Sequence, residues 1–212
     1  AAAQSALQAV RLYPDGGGMA LREKIAEVRE VQPEEVILAN GSNEIIELLG
    51  HVFLGEGDEV IFGTQAFIVY KLVTLLFGAT PVEVSMPDFT HDLGAMANAV
   101  TGRTRLVFVA SPNNPTGTYV TTDEFTRFMD RVPKHVLVIW DEAYFEYAQD
   151  RTDLPDSMRY RLDNVITLRT FSKAHGLAGL RVGYGVGHPS VIAGLLKALS
   201  SSRPVSSRIG VL

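Results

Sequence analysis

The segment from Thr170 to Gly185 reads TFSKAHGLAGLRVGYG and contains a lysine directly after a serine. The apolar neighbours of Lys173 in the sequence are Phe171, Ala174 and Leu177. They predict that the amine is partly buried, and burial lowers the pKa of an amine because it disfavours the charged form. A neutral amine attacks carbonyl carbon, so this lysine is suited to forming a Schiff base. An ordinary solvated surface charge is the alternative, as for most lysines.

Polar clusters of a similar kind follow three other apolar runs. They are residues 40–43 (NGSN), residues 111–117 (SPNNPTG) and residues 141–144 (DEAY). If each run is a strand of one mostly parallel sheet, the clusters meet at the carboxyl edge, where such sheets bind ligands. With the lysine segment they offer an amine, a carboxylate, amides, hydroxyls and a helix N-terminus. This set predicts one ligand with an anionic end and a reactive, protonatable centre.

Short β-rich runs alternate with helical patterns along the chain. The predicted strands are residues 35–39, 58–63, 80–85, 105–110, 136–140, 164–168 and 181–187. Apolar residues recur every three or four positions in residues 44–53, 68–78 and 123–132, which predicts helices there. Strands that alternate with helices favour an α/β fold, with a mostly parallel central sheet and helices on both faces, an α/β/α sandwich.

The composition argues against several classes of protein. The 212 residues are 46% hydrophobic and 20% charged, which is typical of a globular enzyme with a sizeable core. A net charge of −5 argues against a nucleic-acid partner. The absence of cysteine excludes disulfides and thiolate metal sites. Because no apolar run approaches the length of a membrane span and no signal peptide is evident, we expect a cytoplasmic protein without membrane contact.

The usual motifs of four enzyme classes are missing from the sequence. VLVIWDEA resembles a Walker B strand, but no GxxxxGK[ST] run accompanies it. The glycines of GYGVG lack GxGxxG spacing, the histidines lack HExxH spacing, and there is no GxSxG elbow. These absences argue against an NTPase, a dinucleotide-dependent dehydrogenase, a metalloenzyme and a serine hydrolase. We therefore expect no metal site. Schiff-base chemistry at the lysine is the hypothesis that remains.

Five stretches occur in order along the chain: LYPDGGGMALREKIA, NGSNEIIELL, SPNNPTG, DEAYFEY and TFSKAHGLAGLRVGYG. This ordered set resembles the fold-type I pyridoxal-phosphate aminotransferases, and within them the histidinol-phosphate aminotransferases. The resemblance covers about Tyr13 to Arg203 and is far more specific than any one motif. It implies the large domain of that fold and pyridoxal 5'-phosphate as the cofactor.

The resemblance implies catalytic roles for four side chains. Lys173 would carry the cofactor covalently and move the proton of the substrate α-carbon. Asp141 would pair with the pyridine nitrogen and raise its pKa, so that the ring accepts electrons. A helix N-cap or a surface carboxylate is the alternative for Asp141. Asn114 and Tyr144 would hydrogen-bond the phenolic oxygen of the cofactor, although Asn-Pro-Thr-Gly is turn chemistry in any protein.

The same resemblance implies a phosphate-binding set. Ser42 and Asn43 lie where a helix is predicted to begin, and the free N–H groups and dipole of a helix N-terminus favour an anion. They fit plain N-caps equally well. Ser172 and Arg181 would complete the set, since an arginine offers phosphate a charge-assisted fork.

Two aromatic residues extend the implied site. Phe67 would stack on the pyridine ring, with a plain core aromatic as the alternative. Tyr13 lies in a Pro/Gly-rich arm and would reach the phosphate bound by the partner subunit. The resemblance therefore implies a homodimer with active sites at the interface.

The implied reaction converts L-histidinol phosphate and 2-oxoglutarate into imidazole acetol phosphate and L-glutamate, a step of histidine biosynthesis. An aromatic amino-acid aminotransferase, a threonine-phosphate decarboxylase and a cofactor-binding regulator or inactive truncated homologue remain open. We expect an N-terminal arm at residues 1–18, a cofactor-binding large domain at residues 19–200 and, at residues 201–212, the start of a connection to a small C-terminal domain that is missing from this sequence. His175 departs from the family, which usually has tyrosine or phenylalanine there.

Overall fold

The computed structural model describes residues 7–9, 11–12 and 15–202. Within these residues seven strands form one sheet: β1 (Val36–Asn40), β2 (Glu59–Gly63), β3 (Thr80–Val84), β4 (Thr104–Ala110), β5 (Leu137–Asp141), β6 (Val165–Thr170) and β7 (Val182–Gly187). The helices are α1 (Met19–Arg29), α2 (Ser42–Phe53), α3 (Val69–Leu76), α4 (Leu93–Asn98), α5 (Thr122–Met129) and α6 (Pro189–Ser202), with short 3-10 turns between elements. Each strand predicted from the sequence is confirmed to within two residues at either end.

The strand order across the sheet is β1-β7-β6-β5-β4-β2-β3. Strands β6, β5, β4, β2 and β3 pair in parallel, whereas β7 is antiparallel to both of its neighbours. Strand β1 therefore runs in the same direction as β6. The mostly parallel sheet is confirmed, and the carboxyl ends of β1, β4, β5 and β6 all lie at one edge.

Helices cover both faces of the sheet, because successive strand residues point to opposite faces and both sets are apolar. On one face, α2, α3 and α6 pack on a cluster that contains Ile37, Val60 and Phe108. On the other face, α4 and α5 pack on a cluster that contains Ile61, Val107 and Trp140. Strand β5 carries buried residues throughout. The α/β/α sandwich predicted from alternating elements is thus confirmed.

Local sequence accounts for where the helices begin. Thr121 caps α5 through its side chain, and Glu124 completes a capping box. Asp92 caps α4 by accepting a hydrogen bond from the backbone N–H of Ala95 at 2.8 Å. The N-cap of α2 is Gly41, which has φ 79° and offers no side chain. This glycine cap lies at the carboxyl edge of the sheet.

Candidate active site

A cleft of about 190 Å³ opens at the carboxyl edge of the sheet, with room for one small molecule. Nine of the residues predicted to form a site line it: Ser42, Asn43, Phe67, Asn114, Asp141, Tyr144, Ser172, Lys173 and Arg181. The tenth, Tyr13, lies outside the described residues. The fold therefore brings together side chains that are separated by up to 139 residues in sequence, from Ser42 to Arg181 (181 − 42 = 139).

One end of the cleft is the N-terminus of α2. Ser42 is the first helical residue, and Gly41 before it makes no side-chain cap. The plain N-cap interpretation of Ser42 and Asn43 is therefore wrong, because Gly41 occupies that position. The first N–H groups of a helix have no partner within the helix, and Gly41, Ser42 and Asn43 at this terminus line the cleft. An anion fits at such a terminus.

Two glycines let a cation approach this helix terminus. A Cβ atom on Gly41 would lie 2.6 Å from Nη2 of Arg181, and a Cβ atom on Gly183 would lie 2.4 Å from the backbone nitrogen of Ser42. Arg181 lies at the terminus, where its Nη2 donates to the carbonyl oxygen of Asn40 at 3.4 Å, and its Nη1 donates to the carbonyl oxygen of Ala178 in the lysine loop at 3.1 Å. Gly183, the first glycine of GYGVG, thus allows β7 to pack closely against the helix start. The result is a cradle with a guanidinium and a helix N-terminus.

The last residue of β5 supplies a buried carboxylate. Asp141 is 5% exposed, and its Oδ2 accepts a hydrogen bond from the hydroxyl of Tyr70 at 2.7 Å. Its Oδ1 accepts from the backbone N–H of Ala143 at 3.1 Å. Burial raises the pKa of Asp141, while the two hydrogen bonds and the ammonium of Lys173 act in the opposite direction. The N-cap and surface-carboxylate alternatives for Asp141 are wrong.

The lysine loop, residues 171–181, closes the other side of the cleft. Lys173 is exposed, so the prediction of partial burial from its apolar sequence neighbours is wrong for this chain. Those neighbours do not cover it, because Ala174 and Leu177 are themselves exposed and Phe171 packs against Tyr184. The Nζ of Lys173 lies 5.1 Å from the centre of the Tyr144 ring, at cation–π distance. The amine thus faces the cleft beside an aromatic ring and a carboxylate.

Two other predicted residues occupy positions that fit both of their interpretations. Phe67 is half-buried, lines the cleft and packs against the main apolar cluster. Asn114 lines the cleft from a turn in which the N–H of Gly117 donates to the carbonyl oxygen of Asn113 at 2.9 Å. The turn and the site therefore coexist at Asn114.

His175 contacts the 3-10 turn that follows Tyr144, a residue that lines the cleft. Its Nε2 lies 3.6 Å from Oε1 of Glu146, and its ring centre lies 5.3 Å from that of Phe171. Glu146 belongs to the 3-10 turn Phe145–Tyr147, which follows Tyr144 in the chain. The histidine thus links the lysine loop to the segment that carries the cleft tyrosine.

A buried ion pair lies next to the cleft and joins Glu142, the residue after β5, to Arg169 on β6. Arg169 on β6 lies 2.7 Å from Glu142, and the two side chains are 1% and 0% exposed. Arg169 also lies 3.0 Å from Asp156 and 3.8 Å above the ring of Phe145. Burial raises the pKa of Glu142, and the positive charge of Arg169 acts against that rise. This pair ties the ends of β5 and β6 together, and with them Asp141 and the lysine loop.

Sequence reasoning missed Tyr70, Gly183 and the Glu142–Arg169 pair. Arg169 did carry a signal, because a charge at the end of an apolar strand must be paired if the strand is buried. The sequence signal for Tyr70 was weaker: Tyr70 follows Phe67 by three positions on an apolar helical stripe. Its partner Asp141 is 71 residues away, so no local pattern identifies the bond.

The described residues contain neither a membrane-spanning helix nor a cluster of metal ligands. No helix among them is long and apolar enough to cross a membrane. In the same part of the chain, no group of three or more His, Cys, Asp or Glu side chains is arranged to hold a metal ion.

Comparison with known proteins places this geometry in a family. The family model for aminotransferase class I and II matches residues 1–208. A histidinol-phosphate aminotransferase of Anaeromyxobacter sp. (strain Fw109-5) is 49% identical over 195 residues, which cover 91% of this chain and 53% of that protein. An aromatic amino acid aminotransferase of Mycobacteroides abscessus is also 49% identical, over 190 residues, 89% of this chain and 54% of that protein. The chain therefore spans about half the length of the relatives it matches.

A solved structure has the same fold. The histidinol-phosphate aminotransferase of Sinorhizobium meliloti, crystallised in complex with pyridoxal-5'-phosphate, superposes with a TM-score of 0.88 at 27% identity. The match covers 98% of this chain and 56% of that one. The topology derived above is thus that of a known cofactor-binding enzyme domain.

Proposed function

The chain belongs to the class I and II aminotransferase family, and on that premise we propose that the protein carrying it is a pyridoxal-phosphate-dependent aminotransferase. We propose L-histidinol phosphate as the amino donor and 2-oxoglutarate as the acceptor, which gives imidazole acetol phosphate and L-glutamate. The observation that carries the proposal is the convergence of an amine, a buried carboxylate and an anion cradle in one cleft of small-molecule size.

The residues present fit the cofactor. The uncapped terminus of α2 and Arg181 suit a phosphate group, and Gly41 and Gly183 leave the space that a Cβ atom would fill. Ser42, Asn43 and Ser172 line the same cleft and would add donors. The buried carboxylate of Asp141 suits a protonated pyridine nitrogen, because an anion stabilises the proton there.

When bound, pyridoxal phosphate supplies an electron sink for the electrons of the substrate α-carbon. The Nζ of Lys173 is the base that takes the α-proton and later returns it, since it is the amine that faces the cleft. Asp141 would hold a proton on the ring nitrogen. Asn114, Tyr144 and Phe67 line the cleft; the first two would orient the ligand by hydrogen bonds, and Phe67 would stack on its ring.

The donor is tested by comparing kcat/KM for L-histidinol phosphate and L-phenylalanine in the protein that carries this chain, since that ratio measures differential transition-state binding. We expect the higher value for histidinol phosphate. An equal or higher value for phenylalanine would favour the second candidate, an aromatic amino-acid aminotransferase, for which the equal identity of the Mycobacteroides relative is the motivating observation. Cofactor binding without turnover of either donor would point to a regulator or an inactive homologue.

We further propose that the protein is a homodimer. An apolar stripe of exposed side chains runs along α3 and the residue before it: Ile68, Leu72, Leu75 and Leu76, each between 53% and 68% exposed. Ile68 follows Phe67, which lines the cleft. A monomer rarely exposes such a stripe, and a second copy of the chain would cover it beside the active site. Analytical ultracentrifugation should show a dimer that Leu72→Lys with Leu75→Lys converts to monomer; a wild-type monomer at working concentration contradicts this.

Tyr13 is proposed to act in the site of the partner subunit. If so, Tyr13→Phe and Lys173→Ala fall in the same site of a mixed dimer, and the other site of that dimer carries neither change. Random mixing should then leave about a quarter of all sites intact, although each parent is defective. No gain of activity after co-refolding the two variants would mean that Tyr13 acts within its own subunit.

Residues 19–200 are proposed to form the cofactor-binding domain and residues 1–18 an arm, with residues 201–212 leading to a further domain. Limited proteolysis should leave a core of about that span. We also propose a cytoplasmic location, in keeping with a biosynthetic reaction on small molecules; cell fractionation tests it.

A further inference from the structure

Tyr70 lies beneath the cleft, in the first turn of α3. It is fully buried, and its ring stacks on Phe108 with centres 4.5 Å apart and planes 10° apart. Phe67 meets the same ring edge-on at 5.7 Å. The tyrosine is therefore locked by aromatic packing. Its hydroxyl points to Asp141, to which it donates at 2.7 Å.

The carboxylate of Asp141 is held on both oxygens. Oδ2 accepts from Tyr70 and Oδ1 accepts from the backbone N–H of Ala143. The other charged group that acts on it is Lys173, across the cleft. The bond from Ala143 comes from the backbone two residues after Asp141, whereas the bond from Tyr70 comes from a side chain on α3. The helix bond is thus the only side-chain hydrogen bond to Asp141 among the described residues.

The charge balance gives this bond a chemical consequence. Burial raises the pKa of Asp141, and the Tyr70 hydrogen bond is the largest influence that lowers it. Burial and the nearby carboxylate raise the pKa of Tyr70 well above its ordinary value, so the hydroxyl keeps its proton and remains a donor. Removing the donor makes Asp141 hold a proton more tightly.

We propose that Tyr70 is a positioning residue that fixes the carboxylate of Asp141 and keeps the proton shared with a bound ligand on the ring nitrogen instead of on the carboxylate. This inference rests on the proposed function, because it assumes that a pyridine nitrogen lies against Asp141. Without Tyr70 the proton moves toward Asp141, and the neutral ring withdraws electrons poorly. Tyr70 thus acts through Asp141 and touches no reacting atom.

The first test uses the cofactor-free protein and does not depend on activity. Carbon-13 NMR of protein labelled at the aspartate carboxyl carbon follows the titration of Asp141, assigned by loss of its signal in Asp141→Asn. In Tyr70→Phe, which keeps the ring and its stacking, we expect the titration midpoint to move to higher pH. A midpoint unchanged from wild type overturns the inference.

Thr74→Val is the matched control. Thr74 lies on the same helix, is fully buried, and its hydroxyl donates to the carbonyl oxygen of Tyr70 at 2.7 Å. The variant also removes one buried hydroxyl but no bond to Asp141, so the midpoint should stay. If Tyr70→Phe does not fold, 3-fluorotyrosine at position 70 serves instead. Its more acidic hydroxyl is a stronger donor, so the midpoint should move to lower pH; no movement contradicts the inference.

The second test adds pyridoxal phosphate labelled with nitrogen-15 in the ring. The nitrogen chemical shift reports its protonation directly, and we expect a protonated ring in wild type and Thr74→Val and a less protonated ring in Tyr70→Phe. We also expect kcat to fall about tenfold in Tyr70→Phe with little change in KM, the pattern of an interaction that matters in the transition state. No bound signal in wild type contradicts the proposed function itself. Equal protonation in all three proteins contradicts only the role of Tyr70.

Discussion

The buried floor of the cleft, formed by Tyr70, Phe108 and Asp141, differs sharply from the lysine loop. The three floor residues are at most 5% exposed, whereas residues 173–181 are all exposed. The floor is fixed by packing and hydrogen bonds within the chain, and the buried pair Glu142–Arg169 extends that fixed region to β6. The lysine loop is instead held largely by backbone hydrogen bonds within itself, such as those from the N–H groups of Gly176 and Leu177. A change in the buried region should therefore show in folding stability, and a change in the loop should show in binding and chemistry.

Lys173→Ala is the change with the largest expected effect on function. Losing the base of the proposed reaction should lower kcat by about 10²- to 10⁴-fold, the usual contribution of a general base. Because Lys173 is exposed, the free energy of unfolding should hardly change. Steady-state kinetics and urea unfolding measure the two. Lys197→Ala, at another exposed lysine, should leave both intact; a similar loss of kcat there would remove the special role of Lys173.

Arg169→Met tests the buried side of the comparison. Removing one partner leaves the charge of Glu142 buried and uncompensated, so the free energy of unfolding should fall by about 3–5 kcal/mol. The loss should be smaller at low pH, where Glu142 takes up a proton. Urea unfolding at two pH values measures it. Lys24→Met breaks an ion pair whose partners are 63% and 69% exposed and should cost less than about 1 kcal/mol; equal losses would mean that burial does not set the cost.

Arg181→Met should weaken cofactor binding without unfolding the chain. A charge-assisted hydrogen bond to phosphate contributes about 1.5–3 kcal/mol, so Kd should rise about 10- to 100-fold. Fluorescence titration with pyridoxal phosphate measures it. Arg105 is an exposed arginine that pairs with Asp58 at 2.8 Å outside the cleft, so Arg105→Met is the control. An unchanged Kd in Arg181→Met would mean that the cofactor phosphate does not bind at this end of the cleft.

Asp141→Asn should change the free energy of unfolding by less than Arg169→Met does, and in the opposite direction. Burial raises the pKa of Asp141 in the folded chain, so its negative charge destabilises the cofactor-free fold above that pKa. The cost disappears as pH falls below the ordinary aspartate value. Asp141→Asn should thus stabilise the cofactor-free protein at neutral pH by on the order of 1 kcal/mol and make no difference near pH 3. Asp150→Asn, at an exposed aspartate, should do neither; a destabilised Asp141→Asn would show that the carboxylate supports the fold.

The sequence predicted the sheet and most of the cleft lining because both depend on short patterns. Apolar runs of five or six residues marked the strands, and polar clusters at their ends had to meet at one edge once the strands were parallel. The helix start at Ser42 followed in the same way. These are local signals combined with one topological rule.

The parts that failed depend on contacts distant in sequence. The exposure of Lys173 was mispredicted because Ala174 and Leu177 are themselves exposed in the loop, while Phe171 packs toward Tyr184. The N-cap at Gly41 replaces a side-chain cap because Arg181 and β7 pack there. The Tyr70–Asp141 bond joins residues 71 positions apart. Each is fixed by tertiary packing, which periodicity does not encode.

The measurement that tests the central claim most directly is the covalent capture of pyridoxal phosphate. The protein is incubated with the cofactor, reduced with borohydride, digested, and its peptides are analysed by mass spectrometry. We expect a visible absorption band before reduction and a pyridoxyl group on the peptide that contains Lys173. We expect no such adduct in Lys173→Ala, which should still bind the cofactor through Arg181 and the terminus of α2. A protein that stays colourless, or an adduct spread over exposed lysines such as Lys197, would contradict it.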